Sequence, residues 1–168
     1  PYHKFEGDIE SVGEFIRLYT TRHKRWASKK LLAGESYGTT RAAGLSGYLQ
    51  QRCGMYLNGI MLISAVLNFQ SLAFDVGNDL PYILFLPTFA ATAWYHDKLE
   101  SELGELTQVL GQVETFARGE YASALFKGNA LSNEERQSLS QKLARFTGLS
   151  PAYLERTNLR INIQRFVK

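Results

Sequence analysis

A chain of 168 residues that is 45% hydrophobic and 21% charged has the material for one domain with a real core, or for two small ones, and is not a disordered composition. The net charge of +3 comes with no long basic stripe, which gives no footing for a nucleic-acid partner. A single cysteine, Cys53, excludes an internal disulfide and a cysteine-rich metal site, while leaving an oxidising compartment open.

In chain order, Asp8 is expected to cap a helix whose apolar residues Ile9, Val12, Phe15, Ile16 and Tyr19 recur at helical spacing. Glu10 and Glu14 lie early in it. The cluster Arg22-His23-Lys24-Arg25 falls at its end, where cations complement the helix dipole, a simpler reading than a targeting or phosphate-binding patch. After Trp26, the apolar stretch Lys30 to Ala33 reads as a strand running into Gly34-Glu35-Ser36-Tyr37-Gly38. Behind it, Thr39 to Arg52 is rich in helix formers and stops at Gly54.

G-x-S-x-G between a strand and a helix is the pattern of a nucleophile elbow. The serine sits on a turn so sharp that bulky neighbours would clash, and Gly34 and Gly38 are expected to relieve it. Such a turn presents the Ser36 hydroxyl to a base and aims the Tyr37 N–H at the oxyanion formed when Ser36 attacks a carbonyl. Ser36 is therefore the candidate nucleophile. The competing reading is an ordinary glycine-rich strand-to-helix turn.

The run Gly59 to Val66, bounded by Asn58 and Asn68, suits a strand buried on both faces of a parallel sheet. Helix, strand, elbow, helix and strand then make one doubly wound α/β unit. Two uncharged stretches, Cys53 to Phe74 and Leu80 to Tyr95, are too interrupted or too short to span a membrane. They read as a buried strand with its loop and as a buried helix. The chain opens on Pro1 with no signal peptide and no initiator Met. It reads as excised from something longer, so the missing signal carries no weight.

From Asn68 onward everything reads as helix. Asp79 would cap a helix to about Leu99 with Pro81 near its start, Leu103 to Lys127 forms a second, and Gly128-Asn129 closes it. Ser132 and Glu135 form a capping box for a helix ending near Gly148, and Ser150-Pro151 opens another. The expected division is residues 1–68, a partial α/β core, and residues 69–168, a helical module, with the boundary between Asn68 and Asn78.

The residues Asp8 to Trp26, and then Leu32-Ala33-Gly34-Glu35-Ser36-Tyr37-Gly38-Thr39-Thr40-Arg41-Ala42-Ala43-Gly44-Leu45, resemble the serine carboxypeptidase family of α/β-hydrolases, closest to its bacterial branch. The Gly-Glu-Ser-Tyr-Gly form of the elbow is much narrower than G-x-S-x-G. The resemblance covers residues 8 to 68 sharply. Over the rest it lies in a similar order of helices in the family's cap insertion.

It implies a partial α/β-hydrolase core followed by a helical cap, with Ser36 as nucleophile and the Tyr37 N–H as one oxyanion donor. Glu35 matches a glutamate that binds the terminal carboxylate of a peptide substrate and shares a proton with another acid. A solvated acid at the sheet edge is the plainer alternative for Glu35. No cofactor or metal is implied, and the compartment favoured by the family is periplasmic or extracellular. Family order places the triad Asp and His after the cap, outside this chain. His96-Asp97 would sit on a helix facing different ways, and His3 and His23 read as surface residues. The chain alone is then expected to be inactive, completed by the rest of the enzyme or by another chain, with its sheet edges open to self-association.

Two other functions fit the same residues. One is an esterase or acyltransferase, since the elbow sets acyl chemistry but not the acceptor. The other is a non-catalytic helical interaction module with a vestigial elbow, docking through Phe74, Tyr82, Phe85, Phe89, Trp94 and Tyr95.

Overall fold

The computed structural model describes residues 4–168, so His3 lies outside the described residues. The chain divides into two compact units, residues 1–69 and 70–168.

The first unit is mixed α/β. Helix α1 spans Phe5–Arg22, strand β1 Leu31–Glu35, helix α2 Tyr37–Cys53 and strand β2 Gly59–Ile63. The strands are parallel, with Leu31 opposite Gly59 and Glu35 opposite Ile63. The long connection that parallel pairing demands is supplied by α2. Gly54, at φ 62°, ends α2 in the left-handed conformation that glycine adopts freely.

Helix α2 packs on both strands and α1 packs on α2. Ile9, Leu45, Leu49 and Met55 are buried at the centre of this unit. The two helices approach closely because Gly13 and Gly44 face them. A Cβ on Gly13 would lie 2.5 Å from the Tyr48 ring, and one on Gly44 2.6 Å from Phe5.

Three expectations are corrected here. Asp8 does not cap α1, which begins a turn earlier behind Lys4. Strand β2 stops at Ile63 rather than Val66, because Ser64 turns to φ 52° and breaks the extended run. Nor is β2 buried on both faces: Met61 is 53% and Ile63 56% exposed, since the helical layer covers only the side shared by Leu32 and Gly34.

The second unit is helical: α3 Leu80–Tyr95, α4 Leu106–Phe116, α5 Ala122–Lys127, α6 Asn133–Thr147, α7 Pro151–Arg156 and α8 Ile163–Phe166. Leu86, Val109, Val113, Leu143 and Leu154 are fully buried at its centre. Ser132 and Glu135 form the expected capping box, and Ser150 caps α7 with Pro151 in the first turn. Other boundaries differ. Helix α3 ends at Tyr95, not Leu99, as His96 and then Asp97, at φ 53°, leave helical geometry. The stretch Leu103 to Lys127 is not one helix: a π-helical turn over Ala117–Tyr121 separates α4 from α5. Asp79 stands at the start of α3 without capping it. Both its oxygens accept from Arg160, at 2.7 and 2.8 Å.

Most of the aromatic set belongs to the interior of this unit rather than to a docking face. Phe74 meets Tyr82 edge-on at 5.1 Å, Phe89 is 2% exposed, and the Trp94 indole donates to the Gly104 carbonyl. Tyr95 alone of that set is broadly exposed. Among the described residues no helix is long and apolar enough to cross a membrane, and no cluster of His, Cys, Asp and Glu could hold a metal ion.

The fully buried Tyr121 ties the π-turn to the chain beyond α7, donating from its hydroxyl to the Leu159 carbonyl at 2.6 Å. Replacing Tyr121 with Phe is expected to cost about 1–2 kcal/mol, because it strands a buried carbonyl. Burial also pushes this hydroxyl well above its ordinary pKa of 10. Its contribution is therefore complete below pH 10 and declines as the pH rises beyond it, where only the unfolded chain ionises freely. Chemical denaturation of both proteins across that range measures each effect.

Candidate active site

Ser36 is the single residue between β1 and α2. Its backbone sits at φ 54° and ψ −123°, a combination that costs a residue with a Cβ of order 1–3 kcal/mol and persists only where its surroundings enforce it. They do so from three sides. The Ser36 N–H donates to the Ile63 carbonyl at 3.0 Å, fixing the serine to the end of β2. Its carbonyl accepts from the Thr39 N–H at 2.9 Å and from the Thr39 hydroxyl at 2.6 Å. Gly34 lets the start of α2 fold back against β1. A Cβ there would lie 2.1 Å from the Gly38 carbonyl oxygen.

The two glycines of the motif thus differ. Gly34 is required by that close approach, whereas a Cβ on Gly38 would meet nothing within 4 Å. The expectation that both relieve the turn is corrected for Gly38.

The Ser36 side chain is exposed, and its hydroxyl donates no hydrogen bond to any described residue. Tyr37, as the first residue of α2, has no intrahelical acceptor for its N–H. An oxygen developing charge beside Ser36 would therefore meet a free donor at the positive end of a 17-residue helix. Glu35 is exposed at the carboxyl end of β1.

The phenol of Tyr37 has a separate task, which the sequence reading missed. Its hydroxyl donates to Asp8 at 3.1 Å, Arg41 Nε donates to the same carboxylate at 2.8 Å, and the guanidinium lies 5.3 Å from the Tyr37 ring centre. This cluster braces α1 against the first turn of α2. The Arg41 hydrogen bond holds the Asp8 carboxyl below its usual 3.8. The Asp8 side chain is 17% exposed and that of Arg41 38%, so Asp8→Asn is expected to cost about 1 kcal/mol at neutral pH, below the range for a buried charge-assisted bond because solvent screens the pair. The difference from wild type should be complete above pH 3.8 and vanish as the pH falls through the lower folded value. Denaturant titrations at neutral and strongly acidic pH check this.

In the first unit, His23 is the one histidine among the described residues. His23 follows α1 with its ring 4.3 Å from Tyr19. His96 and Asp97 follow α3 in the second unit rather than lying on a helix, and the His96 ring stands edge-on to Tyr95. Within the first unit the structure thus brings together Ser36, the Tyr37 N–H and Glu35.

Thr39 and Thr40 are further residues of this site. The fully buried Thr39 hydroxyl accepts from the Val66 N–H at 2.8 Å, and the Thr40 hydroxyl donates to the Val66 carbonyl. Hydroxyl residues in the first turn of a helix habitually bond nearby backbone, and that was the signal available in the sequence. The second unit holds its own cleft of about 700 Å3, with the Phe89 and Phe166 rings tilted against each other, centres 4.3 Å apart, in its wall and Thr88, Thr92 and His96 also lining it. No family model, curated protein or solved structure matches this chain.

Proposed function

We propose that this chain carries the nucleophile of a serine hydrolase of the α/β-hydrolase kind, acting as a serine-type carboxypeptidase on peptides with a free C-terminus. The observation that carries the reading is the strained Ser36 backbone at the tip of a strand-turn-helix, above the free N–H of Tyr37. Positive φ is shared with Ser64, at φ 52°, so what supports the reading is the pairing of φ 54° with ψ −123° at a single residue joining a strand directly to a helix.

In this mechanism Ser36 Oγ attacks the carbonyl carbon of the C-terminal peptide bond, and its proton passes to a histidine supplied from outside residues 1–168. The carbonyl oxygen becomes an oxyanion held by the Tyr37 N–H. The histidine returns the proton to the leaving amine as the C–N bond breaks. Water then cleaves the acyl-enzyme ester by the same route in reverse. Glu35, next to the nucleophile, takes part in binding the terminal carboxylate of the departing residue, alongside another acidic group. Residues 69–168 serve as the cap that selects the substrate.

The test is covalent labelling by a fluorophosphonate. Residues 1–168 alone should react no faster than an ordinary serine, and the natural polypeptide carrying them should react as an active hydrolase, through Ser36. Triad members act as a unit, so the missing histidine removes most of the effect. Amidating the C-terminus of a peptide substrate should stop turnover. If the natural polypeptide and its Ser36→Ala variant react alike, the hydrolase reading is wrong. If an amidated peptide is cleaved as well as a free one, the enzyme is not a carboxypeptidase.

A further inference from the structure

Ser36 C=O and Tyr37 N–H belong to one peptide unit. Among the described residues no peptide bond is cis, so these two groups point in opposite directions across a rigid plane. Whatever fixes the carbonyl also aims the N–H. The carbonyl is held by the Thr39 hydroxyl at 2.6 Å, the shortest of its contacts, and Thr39 is fully buried. The direction of that bond is set by the other partner of the same hydroxyl. The Val66 N–H is only a donor, so at 2.8 Å it makes the Thr39 oxygen an acceptor, and the hydroxyl proton goes to the Ser36 carbonyl at 2.6 Å rather than to the Val66 carbonyl at 3.4 Å.

We propose that Thr39 is a positioning residue for the oxyanion donor, completing a hydrogen-bonded chain from Val66 N–H through the Thr39 hydroxyl and the Ser36–Tyr37 peptide to the substrate oxygen. The proposal rests on the hydrolase reading of Ser36. Two physical effects follow from the chain. It prevents the strained peptide from rocking away from the oxyanion position, and it polarises the Tyr37 N–H, because hydrogen bonds in series strengthen one another. Thr40 secures the far end by bonding the Val66 carbonyl, so the loop after β2 is strapped to α2 at both groups of one residue. The loop that follows β2 thereby becomes part of the oxyanion apparatus without touching substrate.

The substitution that tests this is Thr39→Val, which keeps the shape and removes the hydroxyl, with Thr39→Ser as the conservative rescue. Two readouts are needed. The first does not involve chemistry: in amide NMR of residues 1–168, Thr39→Val should move the Tyr37 amide proton upfield, towards an unpolarised amide, and Thr39→Ser should restore it. An unmoved Tyr37 amide in Thr39→Val overturns the proposal whatever the enzyme does. The second is the labelling rate and the kcat and KM of the natural polypeptide. Deleting an oxyanion donor outright costs about 10²–10³ in kcat, and loosening one should cost about ten-fold, with KM held and Thr39→Ser within about three-fold of wild type. If Thr39→Val prevents folding, Thr39→Ala provides the same loss of hydroxyl with less crowding. A wild type that labels through Ser36 alongside a Thr39→Val variant of equal rate overturns this proposal alone. A wild type no more reactive than Ser36→Ala overturns the hydrolase reading and this inference with it.

Discussion

Replacing Gly34 with alanine is expected to destabilise the first unit by roughly 3 kcal/mol or more, while Gly38→Ala is neutral or slightly stabilising. The new Cβ of Gly34→Ala would lie 2.1 Å from the Gly38 oxygen, 2.4 Å from the Gly38 carbonyl carbon and 2.9 Å from the Thr39 nitrogen. All three are backbone atoms at the start of α2, and none can rotate away as a side chain would. The helix must lift off β1. Lifting it stretches the bonds that hold Ser36 to Ile63 and to Thr39, so the elbow and the packing fail together. Gly38 faces open space, and within a helix alanine is favoured over glycine by up to about 1 kcal/mol. Urea denaturation of the two variants side by side gives the answer. Equal losses at both positions would show that the motif's glycines serve flexibility rather than close approach.

The second large effect is at Ser36, where stability and reactivity should move in opposite directions. Ser36→Ala removes the nucleophile and should abolish phosphonylation of the natural polypeptide, but it keeps a Cβ at φ 54° and so leaves stability nearly unchanged. Ser36→Gly also abolishes reaction and in addition releases the strain. Relief of about 1–3 kcal/mol, set against about 0.5–1 kcal/mol for the extra freedom of glycine in the unfolded chain, predicts a net gain of about 1 kcal/mol. A thermal melt in which Ser36→Gly unfolds below Ser36→Ala would mean that the observed backbone angle carries no strain.

Where the sequence was read correctly, the information was local. The close approach at Gly34 is a steric problem set within five residues, and the Ser132–Glu135 capping box and the Gly54 stop are equally self-contained. The errors concern partners. Asp8 has the chemistry of a cap and of an ion-pair acid alike, and only the fold reveals Arg41, 33 positions away, as the group that claims it. Asp79 repeats the case with Arg160. The apolar run of β2 records a preference for cover, not the presence of cover on both faces. Thr39 was passed over because its importance lies in a carbonyl three residues before it and a loop 27 residues after it.

The clasp between Asp79 and Arg160 joins residues 81 positions apart by two hydrogen bonds of 2.7 and 2.8 Å. The start of α3 and the segment just before α8 are therefore held side by side. Two segments pinned together in this way hold the unit's chain at one point, so the chain can be opened elsewhere without releasing them. The bend at Gly128–Ala130 between α5 and α6 is a natural place for such new termini.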